Sequence, residues 1–225
     1  MKRYGWILAL AMLVSLVYVI GRYVPTDEAT EPSVTAESIQ KDVAPQIAIT
    51  FDDGPSIYTT ELLEGLQERG VRATFFLIGE CAQARPEVVS QIAKGGHLIG
   101  NHTYSHGDIA RIPEREAREE IEKTNRILEK IIRDKVEYIR PPFGVWEKKL
   151  EDLNMMSVLW TVDPLDWTTK NADEIVNRVV TKTRENDIIL MHDCYKSSVQ
   201  AALRIIDLLQ SEGYEFVTVD ELFMN

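Results

Sequence analysis

The stretch IAITFDDGPS, residues 47–56, joins a short apolar run to two adjacent carboxylates and a Gly-Pro pair. Ile47, Ala48 and Ile49 are typical of a buried β-strand, and successive strand side chains point to opposite faces. Two neighbouring aspartates should therefore not share a face, and their like charges repel. Asp, Gly and Pro are also ordinary turn residues, so the stretch alone predicts only a strand that ends near Asp52 and Asp53.

The sequence after this strand alternates between β-rich runs and helical patterns. Helical periodicity is clearest in residues 59–70 and 114–133. The predicted strands are residues 46–51, 73–79, 97–102, 136–140, 156–162, 187–192 and 214–219. Such alternation predicts right-handed crossovers and a mainly parallel α/β sheet. With about seven units, we expect a distorted, closed or nearly closed (β/α) TIM-like barrel; an open doubly wound sheet is the alternative.

Composition and motifs exclude several classes of function. The formal net charge of −11 argues against nucleic acid or another anionic polymer as partner, because phosphate binding needs a surface rich in Lys and Arg. Neither a GxGxxG nor a GxxxxGK[ST] motif occurs, which argues against the common nucleotide sites. A neutral substrate fits this composition better.

The first 45 residues differ in composition from the rest. Lys2 and Arg3 precede an uncharged, apolar segment, residues 4–21, whose length is near the lower limit for a transmembrane helix. No Ala-x-Ala cleavage site directly follows it, so we expect a membrane anchor over residues 1–24 rather than a cleaved signal peptide. Residues 25–45 have the composition of a flexible linker.

The charges around the apolar segment also predict its orientation. Basic residues precede it and acidic residues follow it, which favours an N-terminus inside the cell. We therefore expect a single-pass protein of the cell membrane whose catalytic domain, residues 46–225, lies outside the cytoplasm.

Ionisable residues follow five of the predicted strands. These residues are Asp52 and Asp53, His102, Arg140, Asp163 and His192. Active sites of parallel α/β barrels lie at the carboxyl ends of the strands. We therefore expect these side chains to meet at one rim.

The HTYSH motif places His102 and His106 four residues apart, a spacing at which both rings can bind one ion. Two solvent-facing histidines are the alternative, but three of the four histidines of the chain lie at predicted strand ends. With Asp53 they form a His-His-Asp set with an open position, which is typical of catalytic zinc. Asp52 then remains free to act as general base on the metal-bound water.

These residues belong to five stretches, TFDDGP, HTYSH, RPPFG, DPLDW and LMH, which occur in this order. From about residue 46 onward, the sequence resembles the polysaccharide deacetylases of carbohydrate esterase family 4, the NodB-homology domain. The resemblance implies a distorted (β/α) barrel and metal-dependent removal of acetyl groups from N-acetylated sugars. The expected metal is Zn²⁺, with Co²⁺ or another divalent transition metal as alternative.

The resemblance also implies a role for each motif residue. Asp52 is the general base and His192 the general acid, and the metal ligands are Asp53, His102 and His106. Asp163 would orient His192 and raise its pKa, and Arg140 would keep Asp52 ionised. The implied substrate contacts are the backbone N–H of Phe143, at the oxyanion, and the side chains of Trp167 and Leu190, around the acetyl methyl group.

Three other residues carry expectations. His97 is followed by Leu98 where the family often has Glu, so we expect a core or supporting residue rather than a ligand. Cys81 and Cys194 both follow predicted strands and should lie on the same rim. We expect free thiols there, with a disulfide as the less favoured alternative.

The predicted activity is N-deacetylation of N-acetylglucosamine units in an extracytoplasmic glycan, with peptidoglycan as the first candidate. Chitin-type oligomers, other surface polysaccharides and small amides are alternative substrates for the same site. A catalytically inactive glycan-binding protein is the alternative from another class. Every proposed catalytic position keeps a chemically competent residue, which argues against inactivity.

Overall fold

The computed structural model describes residues 44–224. The predicted anchor, residues 1–24, and all but the last two residues of the predicted linker lie outside the described residues. Between residues 44 and 224, no helix combines the length and the apolar character needed to cross a membrane.

One parallel sheet organises the described chain. Its strands are β1 (Gln46–Gly54), β2 (Thr74–Leu77), β3 (Leu98–Asn101), β4 (Tyr138–Ile139), β5 (Met156–Ser157), β6 (Ile188–His192) and β7 (Glu215–Phe216). The order is β5-β4-β3-β2-β1-β6, and β7 pairs with the start of β1. Strand β1 is buried on both faces. Ile47, Ile49 and Phe51 contribute to the main core from one face, and Ala48 and Thr50 on the other face are also fully buried.

Helices pack against both faces of this sheet: the C-terminal helix contributes Val219 and Leu222 to a cluster with Ala48 and Phe76, and the other helices contribute to the main core. The helices are α1 (Thr59–Glu68), α2 (Gly79–Ala84), α3 (Pro86–Lys94), α4 (Glu114–Ile132), α5 (Ala172–Val180), α6 (Lys196–Ser211) and α7 (Val219–Met224). Three short 3₁₀ segments are Pro142–Gly144, Lys148–Leu153 and Asp166–Thr168. The main core lies between sheet and helices and includes Phe51, Leu62, Ile92 and Ile205, all fully buried.

The predicted strand 156–162 is only two residues long because its chain moves from one edge of the sheet to the other. The N–H of Val158 still bonds to the carbonyl of Ile139, beside β4 (2.8 Å), whereas Val162 forms a bridge with Ile189 of β6. The architecture is thus a parallel α/β half-barrel, consistent with the expected distorted (β/α) barrel, and this segment links its two edges.

The last predicted strand, residues 214–219, is also shorter, because the chain turns into a helix at Thr218. The hydroxyl group of Thr218 donates to the Glu221 carboxylate (2.9 Å), which also accepts the backbone N–H of Thr218 (3.1 Å). This arrangement resembles a capping box and starts α7 directly after β7.

His97 is a core residue at the amino end of β3. Its side chain lies against the ring of Phe75, with 5.4 Å between ring centroids, and its Nδ1 accepts a hydrogen bond from the N–H of Ala73 (3.1 Å). Burial, helped by the charge of Arg72, lowers the pKa of His97 to about 4. The neutral ring is therefore part of the folded core.

We expect His97→Asn to make folding less sensitive to acid. A histidine in the unfolded chain binds a proton below about pH 6.5, whereas folded His97 binds one only near pH 4. The unfolded state therefore binds more protons between these values, and wild-type stability falls as the pH drops through this window. Asn can keep the acceptor for Ala73 and does not titrate.

The measurement is urea unfolding near pH 7 and near about pH 4.5. From pH 7 to about pH 4.5, the free energy of unfolding should fall by about 2 kcal/mol more in wild type than in His97→Asn. Other titrating groups are common to both proteins and cancel in this comparison. Equal losses would show that His97 does not contribute to acid sensitivity.

Candidate active site

Both aspartates of the opening stretch reach the rim because a β-bulge interrupts the alternation of β1. Asp52 is in register with Phe76 of β2 and Gly54 with Leu77, so Asp53 is the extra residue. Its backbone is left-handed, with φ of 70°. A bulge of this kind redirects side chains, which resolves the conflict between two adjacent carboxylates and strand geometry.

The structure brings Asp53, His102 and His106 together. Their ligand atoms lie within 4.8 Å of one another, and Oδ1 of Asp53 is 3.5 Å from Nε2 of each histidine. Within the described chain, this buried oxygen has no hydrogen-bond partner. An unpartnered carboxylate oxygen that faces two imidazole nitrogens fits a divalent metal ion, and these three residues would hold it.

Hydrogen bonding fixes the tautomer of His102. Its Nδ1 lies 2.6 Å from the carbonyl oxygen of Arg140. A carbonyl oxygen can only accept, so Nδ1 carries the proton and Nε2 presents its lone pair to Asp53. His106 is more open, with 34% of its side chain exposed, and its ring packs edge-on against Phe143 at 5.2 Å.

The electrostatics of this set suit metal binding. Burial raises the pKa of Asp53, but the neighbouring imidazoles of His102, His192 and His106 lower it overall. Burial and the neighbouring His102 lower the pKa of His106. An ionised carboxylate and a neutral imidazole are the protonation states that metal ligation requires.

Asp52 is held by a fully buried arginine. Nη1 of Arg140 donates to Oδ1 of Asp52 (2.8 Å) and to the hydroxyl oxygen of Thr50 (2.7 Å). The rest of the guanidinium group donates to the carbonyls of Val158 and Leu159, each at 3.1 Å. The second oxygen of Asp52, Oδ2, points toward the metal ligands and lies 3.7 Å from Nε2 of His102.

His192 stands beside Asp52, since the two residues are in register on β6 and β1. Its Nδ1 lies 2.7 Å from Oδ1 of Asp166, and its backbone N–H donates to Oδ2 of the same carboxylate (2.9 Å). Burial lowers the pKa of His192, but the hydrogen bond and charge of Asp166, with the charges of Asp52 and Asp53, raise it to about 9. His192 is therefore protonated at neutral pH.

The partner of His192 differs from the residue that the sequence predicted. Asp163 accepts the N–H of Leu165 (2.8 Å) and shapes a turn in which Leu165 has φ of 54°. This turn brings Asp166, which is fully buried, against His192. Asp before Pro favours turn initiation, so the pair Asp163-Pro164 indicates that Asp163 shapes the turn and leaves Asp166 to bind His192.

The three residues predicted to contact substrate have different exposures. Phe143 and Trp167 are 66% and 56% exposed, whereas Leu190 is buried. Phe143 has a left-handed backbone, with φ of 63°. The Phe143 ring packs on His106, and Trp167 directly follows Asp166 in the chain.

Asp193 follows His192 at the end of β6, but the sequence predicted no role for it; its carboxylate lies next to Gly54, directly after Asp53. It is fully buried and accepts a hydrogen bond from the Thr59 hydroxyl (2.5 Å). Burial raises its pKa to about 7. A Cβ on Gly54 would come within 2.5 Å of this carboxylate, so the turn requires glycine at that position. The sequence shows an acidic residue at this position, but no pattern in it predicts the contact between Asp193 and Gly54.

The two cysteines are free thiols, so the less favoured disulfide is not formed. Burial, together with the negative charges of Asp53, Asp193 and Asp166, raises the pKa of Cys194 to about 12. The thiol beside His192 is therefore protonated at neutral pH.

Comparison with known proteins agrees with this arrangement. The family described as "Polysaccharide deacetylase" matches residues 40–157, just over half of the chain. A peptidoglycan-N-acetylglucosamine deacetylase of Bacillus cereus is 41% identical over 187 residues, which cover 79% of this chain and 68% of that protein.

A second relative is the peptidoglycan-N-acetylmuramic acid deacetylase PdaC of Bacillus subtilis, 40% identical over 178 residues. The match covers 78% of this chain and 38% of PdaC, so the chain spans well under half of that relative. A solved structure of PdaC superimposes with a TM-score of 0.78 and 38% identity, covering 80% of this chain and 91% of that one.

A pseudoenzyme of carbohydrate esterase family 4 from Bacillus anthracis also shares the fold, with a TM-score of 0.75 and 29% identity. It covers 80% of this chain and 65% of its own. Activity must therefore be argued from the site and not from the fold. The family match and the 41% identity to the B. cereus protein show that this chain belongs to the polysaccharide deacetylase family.

Proposed function

We propose that this protein is a metal-dependent N-deacetylase that acts on N-acetylglucosamine units of peptidoglycan. The observation that carries the proposal is one possible metal set, Asp53, His102 and His106, with Asp52 next to it and His192 in register with Asp52 on the neighbouring strand. Peptidoglycan is favoured because the similar B. cereus and B. subtilis proteins are named as deacetylases of that polymer.

The reaction adds water to the acetyl carbonyl carbon and breaks the C–N bond, so that acetate and a free sugar amine are released. Zinc suits one carboxylate and two imidazoles, and when bound it would polarise the carbonyl and acidify the attacking water. Oδ2 of Asp52 accepts the proton from this water, since Arg140 already holds Oδ1.

His192 supplies the proton that the leaving nitrogen needs. Asp166 accepts the Nδ1–H, which directs the second ring proton, on Nε2, toward the site. The Asp166 carboxylate raises the pKa of His192 against the effect of burial, so the ring favours its protonated form and can give the Nε2 proton to the leaving amine. The backbone N–H of Phe143 would stabilise the oxyanion, and Trp167 and Leu190 would line the acetyl slot.

We also propose that the protein is anchored in the cell membrane. The apolar segment of residues 4–21, with basic residues before it and acidic residues after it, supports a single-pass membrane anchor with the catalytic domain outside. A linker of about 20 residues would let the site reach cell-wall glycan at some distance from the membrane. Mass spectrometry of the mature N-terminus in a membrane fraction tests this: residues 1–24 should be retained.

The function is tested by acetate release from a panel of substrates. The full chain, loaded with zinc, is offered purified peptidoglycan, N-acetylglucosamine oligomers and a small N-acetylated amine. We expect the fastest release from peptidoglycan, and none from an Asp52→Asn control. Faster release from the oligomers or from the small amine would identify that compound, and not peptidoglycan, as the preferred substrate. No release from any of them, with zinc bound, would support a glycan-binding role without catalysis.

A further inference from the structure

The second metal histidine lies in a short loop with an unfavourable backbone. We call residues 102–106 the histidine loop. Thr103 and His106 both have left-handed conformations, with φ of 62° and 60°. Such conformations persist in residues other than glycine only where the surroundings hold them. The groups that hold this loop therefore decide where His106 is placed.

The first half of the histidine loop is held by the sheet. The N–H of His102 donates to the carbonyl of Leu77 (3.0 Å), and the N–H of Thr103 donates to the side-chain oxygen of Asn101 (2.7 Å). The His102 ring is buried and anchored on Arg140. This ligand is thus fixed independently of the residues that follow it.

Two helices hold the second half of the histidine loop. In α2 the N–H of Glu80 donates to the carbonyl of Tyr104 (3.0 Å), and in α4 one carboxylate accepts from the residues directly before His106. Oε2 of Glu120 accepts the backbone N–H groups of Tyr104 (3.0 Å) and Ser105 (2.7 Å). The Ser105 hydroxyl also donates to this carboxylate, at 3.0 Å and 3.1 Å from its two oxygens. These are the two backbone N–H groups directly before His106.

The position of Glu120 is itself well defined. The neighbouring Ile121 is fully buried, and its carbonyl accepts a hydrogen bond from the side-chain amide of Asn101 (2.8 Å). Asn101 thus ties α4 to the end of β3, while Glu120 ties α4 to the histidine loop. The helix connects the two halves of the loop through rigid contacts.

We infer that Glu120 is a positioning residue for the metal ligand His106. Three donors of the histidine loop converge on its carboxylate, which accepts hydrogen bonds without offering a donor. His106 itself is partly exposed, with Asp53 and two rings as its neighbours around the site. The inference rests on the proposed metal site, since it concerns how well that site binds.

The test compares Glu120→Gln with Glu119→Gln, which makes the same charge change on the same helix. Glu119 is exposed and lies 3.9 Å from Arg115. Competition with a chromophoric chelator measures Zn²⁺ and Co²⁺ affinity of the full chain. We expect Glu120→Gln to weaken binding by about 10- to 100-fold, as loss of a group that orients a metal ligand does, and Glu119→Gln to stay within about twofold of wild type.

A second comparison separates positioning from general loss of structure. In a protein that already carries His106→Ala, adding Glu120→Gln should weaken metal binding further by less than about threefold, because Glu120 acts through His106. The Co²⁺ absorption spectrum should change in Glu120→Gln and stay as in wild type in Glu119→Gln. Glu120→Asp keeps the carboxylate but on a shorter side chain, so its metal affinity should lie between those of wild type and Glu120→Gln. This variant replaces Glu120→Gln in the test if Glu120→Gln does not fold.

These measurements distinguish failure of the positioning role of Glu120 from failure of the metal site. Two results would overturn the positioning role but not the metal site. One is a metal affinity of Glu120→Gln equal to that of wild type; the other is an equal loss of affinity from Glu120→Gln whether or not His106 is present. Absence of metal binding in wild type and Glu119→Gln alike would overturn the metal site itself, and with it this inference.

Discussion

Asp52→Asn should lower kcat/KM for deacetylation by about 10³-fold or more while the metal site keeps its affinity. Oδ2 of Asp52 is the oxygen that faces the metal ligands, at 3.7 Å from Nε2 of His102. An amide at this position has nearly the same shape but cannot accept a proton from water. The loss should therefore appear in turnover, measured as acetate release, and not in metal content.

The variant needs a check on folding, because Arg140 loses its buried counter-charge. Removing one partner of a buried ion pair costs about 3–5 kcal/mol, so the thermal midpoint is measured at the same time. His102→Ala is the matched comparison: it should lose both the metal and the turnover. Near-normal acetate release by folded Asp52→Asn would mean that another group takes the proton.

Asp166→Asn should lower kcat/KM by about 10²- to 10⁴-fold, whereas Asp163→Asn should stay within about tenfold of wild type. Of these two carboxylates, it is Asp166 that bonds to the His192 ring, at 2.7 Å, while Asp163 shapes the turn that precedes it. The pair of variants separates the two carboxylates of the DPLDW motif. A larger loss in Asp163→Asn than in Asp166→Asn would contradict this assignment.

The pH profile gives a second measurement on the same pair. His192 must be protonated to act as an acid, so activity should fall as the pH rises through its pKa. Asp166 raises that pKa against the effect of burial, so Asp166→Asn should move the alkaline limb of kcat/KM to lower pH. A bound cation lowers the pKa of His192 in both proteins, so the shift between them is the quantity to compare. An unchanged limb would show that Asp166 does not control His192.

The sequence predicted the parallel α/β class and the residues at the rim because both follow from local patterns. Alternating strands and helices dictate parallel pairing, and ionisable residues after successive strands then meet at one edge. Asp53, His102 and His106 came together on this basis. The free cysteines agree with the prediction that was favoured.

Other features depend on backbone geometry that residue types do not determine. The bulge at Asp53 arises from a change of register between β1 and β2, and the short β5 arises because its chain leaves β4 for β6. Asp163 and Asp166 have the same chemistry, and only the turn between them shows which one reaches His192. The contact of Glu120 with the histidine loop joins residues from separate elements, which no local pattern reveals.

We expect deacetylation to require one metal ion, held by Asp53, His102 and His106. The most direct measurement strips the full chain of metal and titrates Zn²⁺ back while acetate release from peptidoglycan is followed. Activity should rise linearly and level off at one ion per chain, and His102→Ala should show no rise. Full activity in the stripped protein, or a rise that His102→Ala shares, would contradict the assignment of the site.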